Sequence, residues 1–153
     1  MKSSTKKVSD KGFTLIEILV VIGIIAIIAA IVIIAINPAR QFAQARNTQR
    51  LSNLNTILNA IGQNVADNKG IWSCGTVYFS DSAASTTIGT GGSDLSCLST
   101  IYIPGGIPTD PSDGTSVNTG YQISTTTANR FMICAPKSAE ASIPGSTAIC
   151  VQR

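Results

Sequence analysis

Lys11-Gly12-Phe13-Thr14-Leu15-Ile16-Glu17-Ile18-Leu19-Val20 opens a run of 24 residues, Phe13 to Ile36, in which only Thr14, Glu17 and Gly23 are not hydrophobic. As a helix rising ~1.5 Å per residue the run extends ~36 Å, enough for a ~30 Å hydrocarbon core. Its many Ile and Val residues would favour a strand in water. In lipid the backbone must satisfy its own polar groups, and a helix is expected. Lys2, Lys6, Lys7 and Lys11 stand before the run against the single Asp10. The positive-inside rule then keeps the N-terminus in the cytoplasm and exports the C-terminal remainder of the chain.

Outward from this segment the composition changes. The chain has 153 residues, 12% charged and 44% hydrophobic, with a formal charge of +3. That length allows one modest domain and an appendage. All of the net charge lies in residues 1–12, and the remainder is neutral. The 84 residues from Gly70 onward hold 25 Ser or Thr, and their charges sum to −2. Strong electrostatic DNA binding by that part is not expected. Nor are Arg40, Arg46 and Arg50 expected to form a DNA stripe; they read as a solvated face or as polar contacts to neighbouring molecules. The chain has no histidine, which removes the commonest general base and metal ligand.

A secretory signal peptide fits poorly. Its apolar core should be ~7–15 residues with an A-x-A site just after it. Here the nearest such site is Ala43-Gln44-Ala45, beyond Pro38. A plain single-pass anchor accounts for the length but not for Glu17. An ionised carboxylate in the apolar part of a bilayer costs about 2.5–3.5 kcal/mol on insertion scales. Five residues after Gly12, Glu17 either lies at the interface, snorkelling or protonated, or meets a buried cation. A cut after Gly12 would supply that cation, because Phe13 would then carry a free α-ammonium. Two such groups on neighbouring chains would neutralise each other.

The stretch from Lys11 to Val20, with its basic leader and long apolar run, resembles the class III signal of type IV prepilins and pseudopilins. Gly stands before the cut, Phe would be the new N-terminus, and Glu would be the fifth mature residue. The resemblance covers residues 11–36 closely and the rest only in layout. It implies that a membrane aspartyl prepilin peptidase cleaves Gly12–Phe13 on the cytoplasmic side and N-methylates Phe13. It also implies that Glu17 pairs with the Phe13 amine of an adjoining subunit during assembly. The expected partners are like subunits in a helical filament, the prepilin peptidase, an assembly platform with its ATPase, and membrane lipid before assembly. A surface ligand or DNA would be reached through the filament. No cofactor is expected.

Four segments are expected: residues 1–12 a cleaved basic leader, 13–36 a transmembrane and assembly helix, 37–68 an amphipathic helix, and 69–153 a β-rich head. The expected class is α+β, a long N-terminal helix packed on a small antiparallel sheet stapled by disulfides, as in the pilin fold. Leu51, Leu54, Leu58, Ile61 and Val65 recur at spacings of three and four, a helical stripe that should pack on the head. Arg46, Gln49, Arg50, Asn53 and Asn64 fall largely outside it. Asn68-Lys69-Gly70 reads as the stop. Pro38 lacks an N–H, so a bend or local unwinding is expected near 34–38. Helix from Thr14 to Asp67 would measure ~80 Å.

In the head, strands are expected at Thr76–Ser80, Thr100–Ile103, Gly120–Thr125, Arg130–Ala135 and Thr147–Gln152, with the third and fourth antiparallel neighbours. Cys74, Cys97, Cys134 and Cys150 form no C-x-x-C pair, so zinc and thioredoxin-like readings are weak. An even count beyond a membrane span points to disulfides in an oxidising compartment. Four cysteines allow three connectivities. Cys74–Cys97 with Cys134–Cys150 is favoured because each closes a local loop, and the family resemblance supports a C-terminal disulfide-bounded loop in outline. A catalytic cysteine lacks its histidine.

Asp110 and Asp113, in Ile107-Pro108-Thr109-Asp110-Pro111-Ser112-Asp113-Gly114, are weak Ca²⁺ candidates. The segment faintly resembles the Asp-Pro loop near the calcium site of major type II secretion pseudopilins, and a plain turn is favoured.

The expected function is structural. The chain would be a type IV pilus subunit, a single-pass precursor in the cytoplasmic membrane with its head outside, later an extracellular filament for adhesion, motility or DNA uptake. A pseudopilin of a type II secretion or competence system is the alternative within the class. A membrane-tethered surface binding module is the alternative outside it. An enzyme is not expected, because it would need a carboxylate pair converging from among Asp94, Asp110 and Asp113.

Overall fold

The computed structural model describes residues 12–74, 85–126, 128 and 130–153. The chain divides into two units, residues 1–38 and 39–153. The architecture is α+β, with a long apolar N-terminal helix, a four-stranded antiparallel sheet and two disulfides, consistent with a pilin fold.

In the first unit, helix α1 spans Leu15–Ala35 and buries none of its residues. Its sequence is apolar on every side, which in water would be untenable and in lipid is the ordinary condition of a single span. It ends with the Ile36 N–H on the Val32 carbonyl at 3.1 Å. The helical backbone is interrupted at Ile36 and Asn37. Pro38 then opens the next helix, at a position where its missing N–H is not needed.

Helix α2, Pro38–Asp67, supplies the spine of the second unit. It stops where Lys69 and Gly70 adopt positive φ angles of 60° and 87°, and the Gly70 N–H closes on the Val65 carbonyl at 2.8 Å. Its buried apolar face is Leu54, Ile57, Leu58, Ala60 and Ile61, packed against the inner residues of the head. The stripe expected from spacing is therefore shifted. Leu51 is 43% exposed, and Ile57 lies in the core instead. Asn53 and Asn64, expected outside the stripe, are buried because each has a partner. Asn53 donates to the Tyr121 hydroxyl at 2.8 Å and to the Thr109 carbonyl at 3.1 Å. Asn64 both accepts from the Ser73 N–H and donates to its carbonyl, tying down the chain that leaves the helix.

The sheet runs in the order β1 (Thr86–Thr87), β2 (Gln122–Thr125), β3 (Phe131–Ala135), β4 (Ile149–Gln152), antiparallel throughout. In register, Ile123 faces Ile133 and Ile133 faces Val151; Ile123 and Ile133 are core residues. Strands expected at Gly120–Thr125, Arg130–Ala135 and Thr147–Gln152 are present with slightly shorter limits. The two-residue β1 at the sheet edge was not expected. The strand expected at Thr76–Ser80 lies outside the described residues.

The strand expected at Thr100–Ile103 is instead the end of a one-turn helix, α3, Leu98–Ile101. A strand would place Ile101 and Ile103 on one face. The buried residues are Leu98 and Ile103, with Ile101 71% exposed. The N–H groups of Tyr102 and Ile103 both turn back to the Leu98 carbonyl at 2.9 Å.

Disulfides join Cys74 to Cys97 and Cys134 to Cys150. The first ties the chain after α2 to the start of α3, and the second joins paired positions of β3 and β4.

Candidate processing and assembly site

The N-terminal site begins one residue before the helix. Thr14 is extended (φ −81°, ψ 152°) and caps α1. Its hydroxyl accepts from the Glu17 N–H at 3.3 Å, while Glu17 Oε2 accepts from the Thr14 N–H and from the Thr14 hydroxyl, both at 2.8 Å. This is a reciprocal capping box, in which the cap and the third helical residue satisfy each other's orphan donors. A carboxylate in the first turn also complements the positive end of the helix dipole. The carboxylate is thus held at the helix tip, three residues from Thr14 and four from Phe13.

Phe13 is 85% exposed, and Gly12 before it is exposed with no neighbour in the way of even a Cβ. The Gly12–Phe13 bond therefore lies in accessible, non-helical backbone beside the carboxylate. Helix α1 behind it is long and apolar enough to cross a membrane, with a mean hydropathy of 3.5. Its 21 residues reach ~32 Å against a hydrocarbon core of ~30 Å.

Residues 8–36 match the family model of the prokaryotic N-terminal methylation motif. The match supports a type IV pilin or pseudopilin. No curated protein and no solved structure matches the chain. The pilin motif and the apolar helix fit a membrane-anchored precursor. The motif implies processing by a prepilin peptidase and assembly into filaments, and the family that bears it is structural.

In the head of this pilin-like chain the conspicuous polar cluster is one that sequence reasoning misread. Arg46 and Arg50, expected on a solvated face or in polar contacts to neighbouring molecules, belong to an ion network built on α2. Arg50 is 1% exposed. Its Nε and Nη2 donate to the two Asp110 oxygens at 2.7 and 3.1 Å. Its Nη1 donates to Glu140 Oε1 at 2.6 Å and to Asn47 Oδ1 at 2.8 Å, and its Nη2 also reaches the Ser112 hydroxyl at 2.8 Å. Arg46 grips both Glu140 oxygens at 2.8 Å.

A buried guanidinium is tolerated only with its donors filled, and here they are. Hydrogen bonds from Arg46 and then Arg50 bring Glu140 down to about 2. Burial pushes Asp110 up, but the Arg50 hydrogen bonds and the Ser112 N–H outweigh it and hold the group below its ordinary value. The Asp110 hydrogen bond raises Arg50 further above its usual range.

The same contacts bear on the weak calcium candidates. Both Asp110 oxygens face Arg50, and Asp113 pairs with Lys137. Among the described residues no group of three acidic, Cys or His side chains converges. The loop around Asp110 is shaped by glycine. A Cβ on Gly114 would lie 2.3 Å from the Asp110 nitrogen, and one on Gly120, at φ 82°, would lie 2.7 Å from the Asp110 Cβ.

Proposed function

We propose that the chain is a prepilin of a type IV pilus, cut between Gly12 and Phe13 by a membrane aspartyl peptidase on the cytoplasmic side. Phe13 is then N-methylated, and the product waits in the membrane until it joins a filament outside the cell. The leader is residues 1–12, the span and assembly helix 13–36, and the rest a spine and head carried to the filament surface. During assembly the Glu17 carboxylate leaves its Thr14 partners for the Phe13 ammonium of a neighbouring subunit.

The observation that carries this reading is the methylation motif at residues 8–36, on a helix that buries nothing within its own chain. The head has a core of its own, formed by residues 54–151. Helix α1 buries none of its apolar residues. Outside lipid, its apolar surface needs other copies, and a bundle of identical helices supplies them. The assembly platform, its ATPase and the surface met by the filament are the partners such a life requires.

Glu17→Val tests the assembly step. It removes the only carboxylate of α1 without shortening the span. Export, cleavage and head folding should persist, while filaments sheared from cells fall at least tenfold. Unchanged filament yield would count against the proposed pairing. An abundant filament outside the cell fits a pilus; secretion failure on deletion, without long filaments, points to a pseudopilus.

A further inference from the structure

A hollow of about 250 Å³ lies in the head where the stretches 88–90, 94–99, 106–109 and 116–119 meet. Backbone hydrogen bonds fasten its walls to one another. The Thr90 N–H donates to the Ser116 carbonyl at 3.1 Å, and the Thr119 N–H to the Ile88 carbonyl at 2.9 Å. The Asp110 N–H reaches the Thr119 carbonyl at 2.7 Å, and the Gly89 N–H reaches the Ser93 carbonyl at 3.0 Å. The Cys74–Cys97 disulfide anchors the wall that carries Asp94 and Ser96. The hollow is therefore built before any ligand arrives, which spares the ordering cost of binding.

Its base belongs to the core, since Ile88 and Leu95 are only 0% and 1% exposed. Of the larger apolar side chains in the lining, Ile107 alone still meets solvent, half-buried. An apolar protein side chain would gain little burial there. The rim is polar: Thr90, Asp94, Ser96 and Ser116 line the hollow and are exposed. Asp94 Oδ1 accepts from the Ser96 N–H at 2.9 Å, which fixes the carboxylate and leaves its second oxygen without a partner among the described residues. The hydroxyls of Thr90, Ser96 and Ser116 also have none there. Neither Lys nor Arg lines the hollow, so nothing in it attracts a phosphate or a carboxylate. Hydroxyl groups both donate and accept, and they suit a molecule whose own groups do the same. An alkylammonium would only donate, and its pairing with an exposed carboxylate is worth little in water. The volume is below the ~300–1,000 Å³ of drug-sized sites, which fits a single ring.

We infer that this hollow binds one neutral sugar ring. Asp94 and the hydroxyls of Thr90, Ser96 and Ser116 take its hydroxyl groups, and Ile107 meets its C–H face. For its use the site rests on the filament reading and deepens it. One ring held at an exposed rim binds weakly, and a polymer that repeats the site along its length turns weak binding into firm attachment.

The test begins with the full chain in a detergent that has no sugar headgroup. The probes are the methyl glycosides of glucose, galactose, mannose and N-acetylglucosamine, with propylamine and N-acetylneuraminic acid as cationic and anionic comparators. Saturation-transfer NMR should show binding of at least one glycoside in preference to both comparators. Asp94→Asn keeps an acceptor for the Ser96 N–H and removes the charge. It should weaken that glycoside about tenfold, the loss expected for a hydrogen bond to a charged group. Ser116→Trp closes the mouth and should abolish binding, with thermal unfolding unchanged. Sheared filaments should be retained on beads that carry the same sugar and released by the free glycoside. No glycoside bound, a comparator bound in preference, or equal affinity in the Asp94→Asn chain overturns the site and leaves the filament reading standing. Glycoside binding by the subunit, with no filament recovered from the unmodified chain, upholds the site and overturns the filament reading.

Discussion

Glu140 sits between two guanidiniums, and its protonation decides how the head responds to acid. In the folded chain Arg46 and Arg50 hold it at about 2, against an ordinary value of 4.5. Between those two values the unfolded chain carries a proton on Glu140 and the folded chain does not. Stability therefore rises with pH across that interval, and the contribution is fully present above the unfolded value. As pH falls toward 2 it is lost. Asp110, also lowered, contributes with the same sign. Thermal unfolding of the detergent-solubilised chain should be nearly flat from pH 8 to about 5.5 and fall steeply below that. Glu140→Gln should lower the neutral-pH midpoint and make the acid fall shallower. An acid slope identical to that of the unmodified chain would contradict this assignment.

At the scale of elements, one turn of α2 fastens two loops. Arg50 reaches Asp110, 60 residues away, and Glu140, 90 residues away, so the helix, the Asp-Pro loop and the turn after β3 are joined through one side chain. Arg50→Met removes the cation and leaves Asp110 buried without it, which should cost about 3–5 kcal/mol in urea unfolding. Asp110→Leu added to Arg50→Met should recover much of that loss, because an apolar pair replaces an orphaned charge. A loss within about 0.5 kcal/mol for the single variant, the range of an ordinary surface substitution, would mean the network is incidental.

This fastening also marks where the sequence stopped being legible. An arginine on an amphipathic helix reads as solvated unless its partners are known, and these lie far along the chain. Asn53 and Asn64 misled in the same way, because their satisfaction depends on Tyr121, Thr109 and Ser73. What was readable is local: the apolar run of α1, the break before Pro38, the stop at Lys69-Gly70, and strands with three or more alternating residues. Helix α3 and strand β1 are too short to carry a period, and the strand expected at Thr100–Ile103 gives way to a turn of helix that buries Leu98.

For the whole molecule, two kinds of surface meet two fates. Residues 39–153 bury a core from α2 and the sheet, closed by Cys74–Cys97 and Cys134–Cys150. Helix α1 buries nothing and carries one carboxylate, bound for the present to its own cap. Such a helix is stable in lipid or among its own kind, and in the proposed processing the cut at Gly12 would supply Glu17 with a cation once lipid is left behind. The most direct test of that proposal is the intact mass of protein sheared from cells. The account predicts a chain that begins at Phe13, heavier by the net CH2 of one N-methylation and lighter by the four hydrogens of two disulfides. A chain that still begins at Met1, or one that never leaves the membrane fraction, would contradict it.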